Sequence, residues 1–284
     1  MIQNDNLINP IDSLENVAPI GDQKKAGKPN VGDVVMVFAG RDGNYGKQMH
    51  SGRPGIILKV HSDDKFTVVY ATTSKMQAHK HQFNVNVKIE GKAAVARCDK
   101  IATIHKSRVC RYMDTLSTPD IQAVKRAVRQ YLLKNKRIDD FMDSQCNDYK
   151  SLYKRGYVYR IHKTAPKATG TELGQNTYGL IVNNPAFPTL NGDVKETDTL
   201  VVAYGITEKS FNKVEGKESY VKHVISDYYK KNPKTLYFNT CELYEVDRDR
   251  IDVNDPMVHK GKLGEEELKT LNKNITQLTD IEPY

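Results

Sequence analysis

The feature that most limits how this chain can fold is an internal repeat. Six segments recur in the same order in its two halves, offset by roughly 125–145 residues. VGDVVMVF, starting at residue 31, is matched by YKRGYVYRI at 153–161, and each is followed by a Gly-bearing loop, 39–52 and 168–179. GRPGIILKV (52–60) parallels TYGLIVNN (177–184), and FTVVYATTSK (66–75) parallels LVVAYGITEKS (200–210). ARCDKIATIHKSRV (96–109) parallels FNTCELYEVDRDRI (238–251): a Cys and an acid open both, and an Arg with a β-branched residue closes both. LSTPDIQAVKRAVRQYL (116–132) parallels KLGEEELKTLNKNI (262–275) as the sixth pair. Identities at any one segment are few. The shared order argues for a duplication, with extra length in the second copy around 211–235.

Each repeat reads as a small β-barrel. In the first, VGDVVMVF, RPGIILKV, FTVVYATTS, FNVNVKI and VARCDKIATI are five short segments with strand-like apolar patterning, separated by polar or Gly-containing turns. The stretch from Ser117 then opens a helix with Ser-Thr-Pro-Asp and places Ile121, Val124, Val128 and Leu132 on one face. The expected organisation is a polar arm at 1–30, a barrel at 31–135, a linker at 136–150 and a second barrel at 151–284. A length of 284 residues fits two such domains. The fold class is mainly β (α+β).

Charge separates the halves. Residues 1–150 hold 24 basic and 16 acidic side chains, whereas 151–284 hold 19 of each. The net charge of +8 therefore lies in the first repeat, and 51–137 alone has 18 basic against 6 acidic residues. Such a concentration favours a polyanion-binding face, with nucleic acid ahead of a membrane because no basic amphipathic helix with a broad aromatic face accompanies it. No uncharged apolar run approaches the ~18 residues of a membrane span. The N-terminal MIQNDNLINPIDSLENV lacks the basic-then-apolar order of a signal peptide. The four cysteines (98, 110, 146, 241) form no C-x-x-C, so neither a zinc site nor a disulfide framework is suggested. A cytoplasmic protein without cofactor or metal is expected.

G-D-V-V at 32–35, the Gly-rich loop, G-R-P at 52–54, the apolar strand ending Thr-Thr-Ser at 72–74, the Cys-Asp-Lys-Ile segment and the Leu-Ser-Thr-Pro-Asp helix start together resemble the MazF/PemK/Kid-type toxins of toxin–antitoxin pairs. The resemblance covers about 31–133 and, more weakly, 156–275. It implies SH3-like β-barrels of the MazF/CcdB type, each with a C-terminal helix, two of them forming an intramolecular pseudo-dimer and hence a monomeric chain. It also implies metal-independent, sequence-selective cleavage of single-stranded RNA (mRNA) and inhibition by a disordered antitoxin peptide.

On that resemblance Arg53 is the catalytic arginine of the G-R-P motif. A guanidinium suits the task because its planar fork binds two phosphoryl oxygens and stays charged at any working pH. Thr73 matches the catalytic hydroxyl, with Ser74 beside it as a further candidate. A strand points only one of two neighbouring side chains toward a given face. The loop KMQAHKHQF supplies Lys75, His79, Lys80 and His81 as RNA-binding groups, and His50 precedes the G-R-P motif. Cations hold phosphates; His, and Phe83 in the same loop, can stack on unpaired bases, and a His can act as general acid or base. In the second repeat Thr207 keeps a hydroxyl, but Thr177 stands where Arg53 does, so that repeat reads as catalytically dead.

Two other readings stay open. An SH3-like RNA or protein binder without catalysis is one, and CcdB-type gyrase poisons share the fold. Drift of both repeats into a structural role is the other.

Overall fold

The computed structural model describes residues 29–37, 52–61, 64–73, 83–133, 153–161, 177–184, 186–188, 194–197, 199–225, 233–247, 251 and 259–280. The first half is one antiparallel sheet of β1 (Asp33–Val37), β2 (Arg53–Val60), β3 (Lys65–Thr72), β4 (Asn84–Ile89), β5 (Lys92–His105) and β6 (Val109–Thr115), in the order β4-β5-β3-β2-β1-β6. The five expected strands are present. A sixth, β6, is a correction: its sequence VCRYMDT lacks alternation because most of its residues are only half-buried at a sheet edge. The β4–β5 hairpin turns at Glu90-Gly91, both with positive φ, as a two-residue turn requires. That turn brings the two edges together. Glu90 N–H donates to Asp114 Oδ2 of β6 at 2.7 Å, and Arg111 reaches the Glu90 carboxylate at 3.2 Å, so the sheet nearly closes into a barrel. Helix α1 (Thr118–Leu132) follows, capped by Ser117, whose Oγ accepts from Asp120 N–H at 3.3 Å. Its expected stripe of Ile121, Val124, Val128 and Leu132 is buried.

The second half repeats this connectivity. Strands β7 (Tyr157–Ile161), β8 (Thr177–Ile181), β11 (Thr199–Thr207), β12 (Tyr220–Ile225), β13 (Lys234–Asn239) and β15 (His259–Lys262) run in the order β12-β13-β11-β8-β7-β15, strand for strand the order of the first sheet. The counterpart of the long β5 is broken, since β13 and β14 (Tyr244–Asp247) both pair with β11. Helix α3 (Glu265–Leu278) closes the unit, preceded by a short α2 (Glu208–Phe211). The two repeat cysteines occupy matching places: Cys98 and Cys241 are fully buried, and their thiols face carbonyls of α1 (Val124, 3.8 Å) and α3 (Asn274, 3.8 Å).

The expected extra length at 211–235 is partly misplaced. Strand β12, inside it, is the counterpart of β4. The larger addition lies earlier, where the four residues 61–64 between β2 and β3 become the seventeen residues 182–198, holding the hairpin β9 (Ala186–Pro188) and β10 (Val194–Glu196). Its Gly, Pro and Asp content reads as loop because three-residue strands are too short for a period to appear.

One apolar core joins the halves. Val34, Ile56, Val69, Ala96, Val124 and Leu132 share it with Val158, Leu180, Val201, Phe238, Leu271 and Ile275. Each sheet keeps a smaller cluster on its other face, Val37, Ile57, Val68 and Tyr70 in the first and Ile161, Ile181, Val202 and Tyr204 in the second. Polar ties flank the shared core. Thr103 N–H donates to Leu243 O (2.6 Å), Thr67 Oγ1 to Cys241 O (2.8 Å), and Lys100 pairs with Glu245. Arg155 Nε donates to the Leu132 and Val182 carbonyls, each at 2.8 Å, and Nη2 reaches Asn272 Oδ1. No helix among the described residues is long and apolar enough to cross a membrane.

A tight approach in the second half yields a stability prediction. Buried His223 on β12 donates through Nδ1 to Glu267 Oε1 (2.9 Å), and Glu267 Oε2 also accepts the Gly264 N–H at the start of α3. Gly261, at φ +156°, lies so close that a Cβ would stand 2.7 Å from His223 Nε2. Gly261→Ala is therefore expected to cost about 1–3 kcal/mol, because the pinned ring cannot yield. Urea melts of the two proteins check this.

Candidate active site

The first sheet changes character along its private face. Strand alternation puts Val37 and Val35 of β1, Ile57 and Gly55 of β2, and Tyr70 and Val68 of β3 on that face, and most of these are buried apolar groups. Toward the end of the sheet where β2 begins and β3 ends, the same face turns polar. Arg53 is the first residue of β2, opposite Val37, two residues before Gly55 and half-buried. Gly55 pairs with Tyr70, and carrying that register two residues outward brings Arg53 opposite Thr72, the last residue of β3. Thr72 pairs in turn with Val95 of β5, Val95 with Asn86 of β4, and Arg97 with Asn84. Arg53, Thr72, Arg97, Asn84 and Asn86 thus share one face at one end of the sheet.

This geometry sorts the expected site residues. Thr73 is exposed, one residue beyond the ladder, and the parity of β3 assigns the Arg53 face to its neighbour Thr72. His50, Ser74, Lys75, His79, Lys80 and His81 lie outside the described residues. Phe83 departs from its expected role. Its ring packs against Tyr131 of α1 at 5.5 Å and against the shared core, so it anchors the end of that segment to the helix instead of offering a stacking face.

Arg97, Asn84 and Asn86 did not emerge from the sequence as site residues. The available signal was the Glu90-Gly91 turn, which fixes the β4–β5 register and with it the parity of both strands. Arg97 Nη2 donates to Asp99 Oδ2 at 2.8 Å. Cys98, between them, points into the core. Burial, then Asp99, pushes its thiol well above the ordinary range, so it stays protonated and is no nucleophile. Among the described residues, no three His, Cys, Asp or Glu side chains cluster as a metal site would require.

The second sheet carries the same ladder with different chemistry. Thr177 pairs with Ile161 as Arg53 pairs with Val37, and Tyr204 pairs with Gly179 as Tyr70 does with Gly55. Thr177 therefore occupies the Arg53 position, Thr207 that of Thr73, and Ile206 that of Thr72. An arginine does stand nearby: Arg160 on β7 is opposite Tyr178. Alternation turns it away from the Thr177 face, because its neighbour Ile161 belongs to the private cluster.

The first half is thus a nearly closed, mainly β barrel sheet with a C-terminal helix and a cationic, hydroxyl-bearing sheet end. Residues 30–132 match the family model of PemK-like, MazF-like toxins of type II toxin–antitoxin systems. No curated protein matches the chain. Among solved structures, an endoribonuclease in complex with its cognate antitoxin from a mycobacterial species is similar at 15% identity, covering 48% of this chain and 100% of that one, with a TM-score of 0.29.

Proposed function

We propose that the protein is a toxin-type endoribonuclease that cleaves single-stranded RNA by attack of the substrate's own 2′-OH, without a metal. The observation that carries this reading is the meeting of Arg53 and Thr72 on one face, in a PemK/MazF-like domain that also holds the chain's entire positive surplus. The 2′-oxygen loses its proton and bonds to phosphorus, the bond from phosphorus to the 5′-oxygen breaks, and that oxygen takes a proton. Arg53 neutralises the charge gathering on the phosphoryl oxygens. The Thr72 hydroxyl donates to one of them, with Thr73 and Ser74 next along the chain. His50, His79 and His81 are the candidates for moving the two protons, and Lys75 and Lys80 for holding the strand.

In this reading the two halves (barrels at 31–135 and 151–284) are tandem copies folded into an internal pseudo-dimer. The matching strand orders and the shared core support it. The second copy shapes the groove but does not cleave, and a disordered antitoxin peptide is the natural inhibitor.

Incubation of the pure protein with a long single-stranded RNA in EDTA should give products with 2′,3′-cyclic phosphate and 5′-OH ends. One 2′-deoxy sugar at the cut site should block that cut. A need for Mg²⁺, or indifference to the missing hydroxyl, would refute the mechanism. RNA bound but left intact would favour a non-catalytic binder of the same fold.

A further inference from the structure

We propose that the joint between the halves is keyed by charge. One equivalent position is a lysine in the first half and a glutamate in the second, so each half fits the other and rejects a second copy of itself. The inference rests on the internal pseudo-dimer of the reading above.

The equivalence comes from the ladders. Tyr70 pairs with Gly55 as Tyr204 pairs with Gly179, which aligns β3 with β11 and makes their first residues, Lys65 and Thr199, counterparts. On the next rungs Thr67 pairs with Thr103 and Val201 with Glu245, so Thr103 and Glu245 are counterparts. At the other end Ala71 pairs with Ala96 and Gly205 with Phe238. The stretches from Ala96 to Thr103 and from Phe238 to Glu245 therefore have equal length, and Lys100 and Glu242 hold the same place in them.

The contacts between the halves follow a pseudo-twofold axis through these positions. Lys100 Nζ donates to Thr199 Oγ1 at 3.0 Å, and across the axis Lys65 Nζ donates to Glu242 Oε2, also at 3.0 Å. Lys100 pairs in addition with Glu245, and across the axis Leu243, next to Glu242, donates its N–H to Thr103 Oγ1 at 2.9 Å. The charged side chains are mostly shielded, with exposures of 18% and 16% in the Lys65–Glu242 pair and 24% and 9% in the Lys100–Glu245 pair. Charges there act on one another more strongly than on an open surface. Tyr244 OH and Asn239 Nδ2 also donate to the Glu242 carboxylate, at 3.2 and 2.9 Å, so its own half fixes it in place.

The same axis applied to identical halves shows the exclusion. In a pair of first halves, Lys100 of each copy would face Lys65 and Thr103 of the other, lysine against lysine on both sides of the axis. In a pair of second halves, Glu242 of each copy would face Thr199 and Glu245 of the other, glutamate against glutamate. Like charges set against each other in an interface suppress the wrong partner. A joint built for self-pairing needs both signs within one half, whereas at these positions the first half carries lysine alone and the second glutamate alone. The apolar core surface still draws a freed first half to its own kind, so the lysines weaken that self-pairing without abolishing it. In the intact protein the key keeps every joint to one half with Arg53 and one with Thr177.

Two full-length variants test the key by sedimentation over a concentration series. Lys65→Glu/Glu245→Lys leaves the total charge unchanged and inverts the key: both mixed contacts become like-charged, and both kinds of self-pair gain opposite charges. This chain should form a dimer where the wild type is monomeric, and salt at 1 M, with a Debye length of about 3 Å, should return it to monomer. Lys65→Glu/Glu242→Lys keeps opposite charges in the mixed joint and supplies them to the self-pairs as well. It should unfold in urea like the wild type and dimerise about a hundredfold more tightly. If the inverted chain fails to fold, or forms aggregates that salt does not reverse, the second variant decides. A folded inverted chain that stays monomeric would overturn the charge key, whether or not its urea midpoint falls, as would wild-type self-association of the second variant. A wild type that is itself a stable dimer would overturn the internal pseudo-dimer, and this inference with it.

Discussion

Arg53→Ala is expected to lower RNA cleavage about a thousandfold while RNA binding weakens far less. The reason is where the charge develops. In an attack by the 2′-oxygen, the phosphoryl oxygens carry more charge in the transition state than in bound RNA, so a guanidinium aimed there lowers the barrier more than it strengthens binding. Lysine at 53 should restore only a small part of the rate, because a point charge cannot bridge two oxygens as a planar fork does. Thr72→Val should cost more than Thr73→Val, since only Thr72 has the parity of Arg53. Thr207→Ala should leave the rate nearly intact, because the residues around it in the ladder are Thr177 and Ile206. Single-turnover assays on the five variants test the set. Equal losses from Arg53→Ala and Thr207→Ala would mean that the second half is a working one.

Removal of residues 151–284 is expected to leave a piece that aggregates or pairs with itself, and the intact chain is expected to run as a monomer of 32.2 kDa. The shared core makes the difference. Val34, Ile56, Val69 and Val124 are each 0% exposed in a core that the second half supplies with Val158, Leu180, Val201 and Phe238. Cutting the chain puts that apolar surface in water at about 25 cal/mol per Å², and a second copy of the same surface is the nearest cover. In the full chain the second barrel is tethered, so its effective concentration favours the internal pairing. Arg155→Ala probes the same joint without truncation. It leaves the Leu132 and Val182 carbonyls without the Nε donor and should destabilise the protein by about 2–4 kcal/mol. Light scattering reads the first result and chemical denaturation the second. A stable wild-type dimer would show that the joint does not satisfy the barrels internally.

Much of this architecture is legible in one dimension, because each unit is held by short-range rules. The alternation in VGDVVMVF and FTVVYATT, the Ser-Thr-Pro-Asp helix start and the spacing of Ile121, Val124, Val128 and Leu132 all report local geometry, and local geometry is what a periodic sequence encodes. The repeat multiplies that information, since Gly55 with Gly179 and Cys98 with Cys241 find the same surroundings twice. Elements without a period escape: β6 is an edge whose side chains are half wet, and β9 and β10 are three residues each.

The sequence by itself determined that strand-like segments recur in one order in both halves, that the charge surplus lies in the first half, and that an arginine opens that half's second strand. Only the tertiary structure decided which groups join that arginine. Parity within a strand is written in its residues, but register between strands is set by turns and bulges, and a shift of one residue exchanges Thr72 for Thr73. The five-for-two bulge in β5 that carries Arg97, and the core that closes one copy on the other, depend on contacts between residues far apart in the chain, which no local pattern specifies.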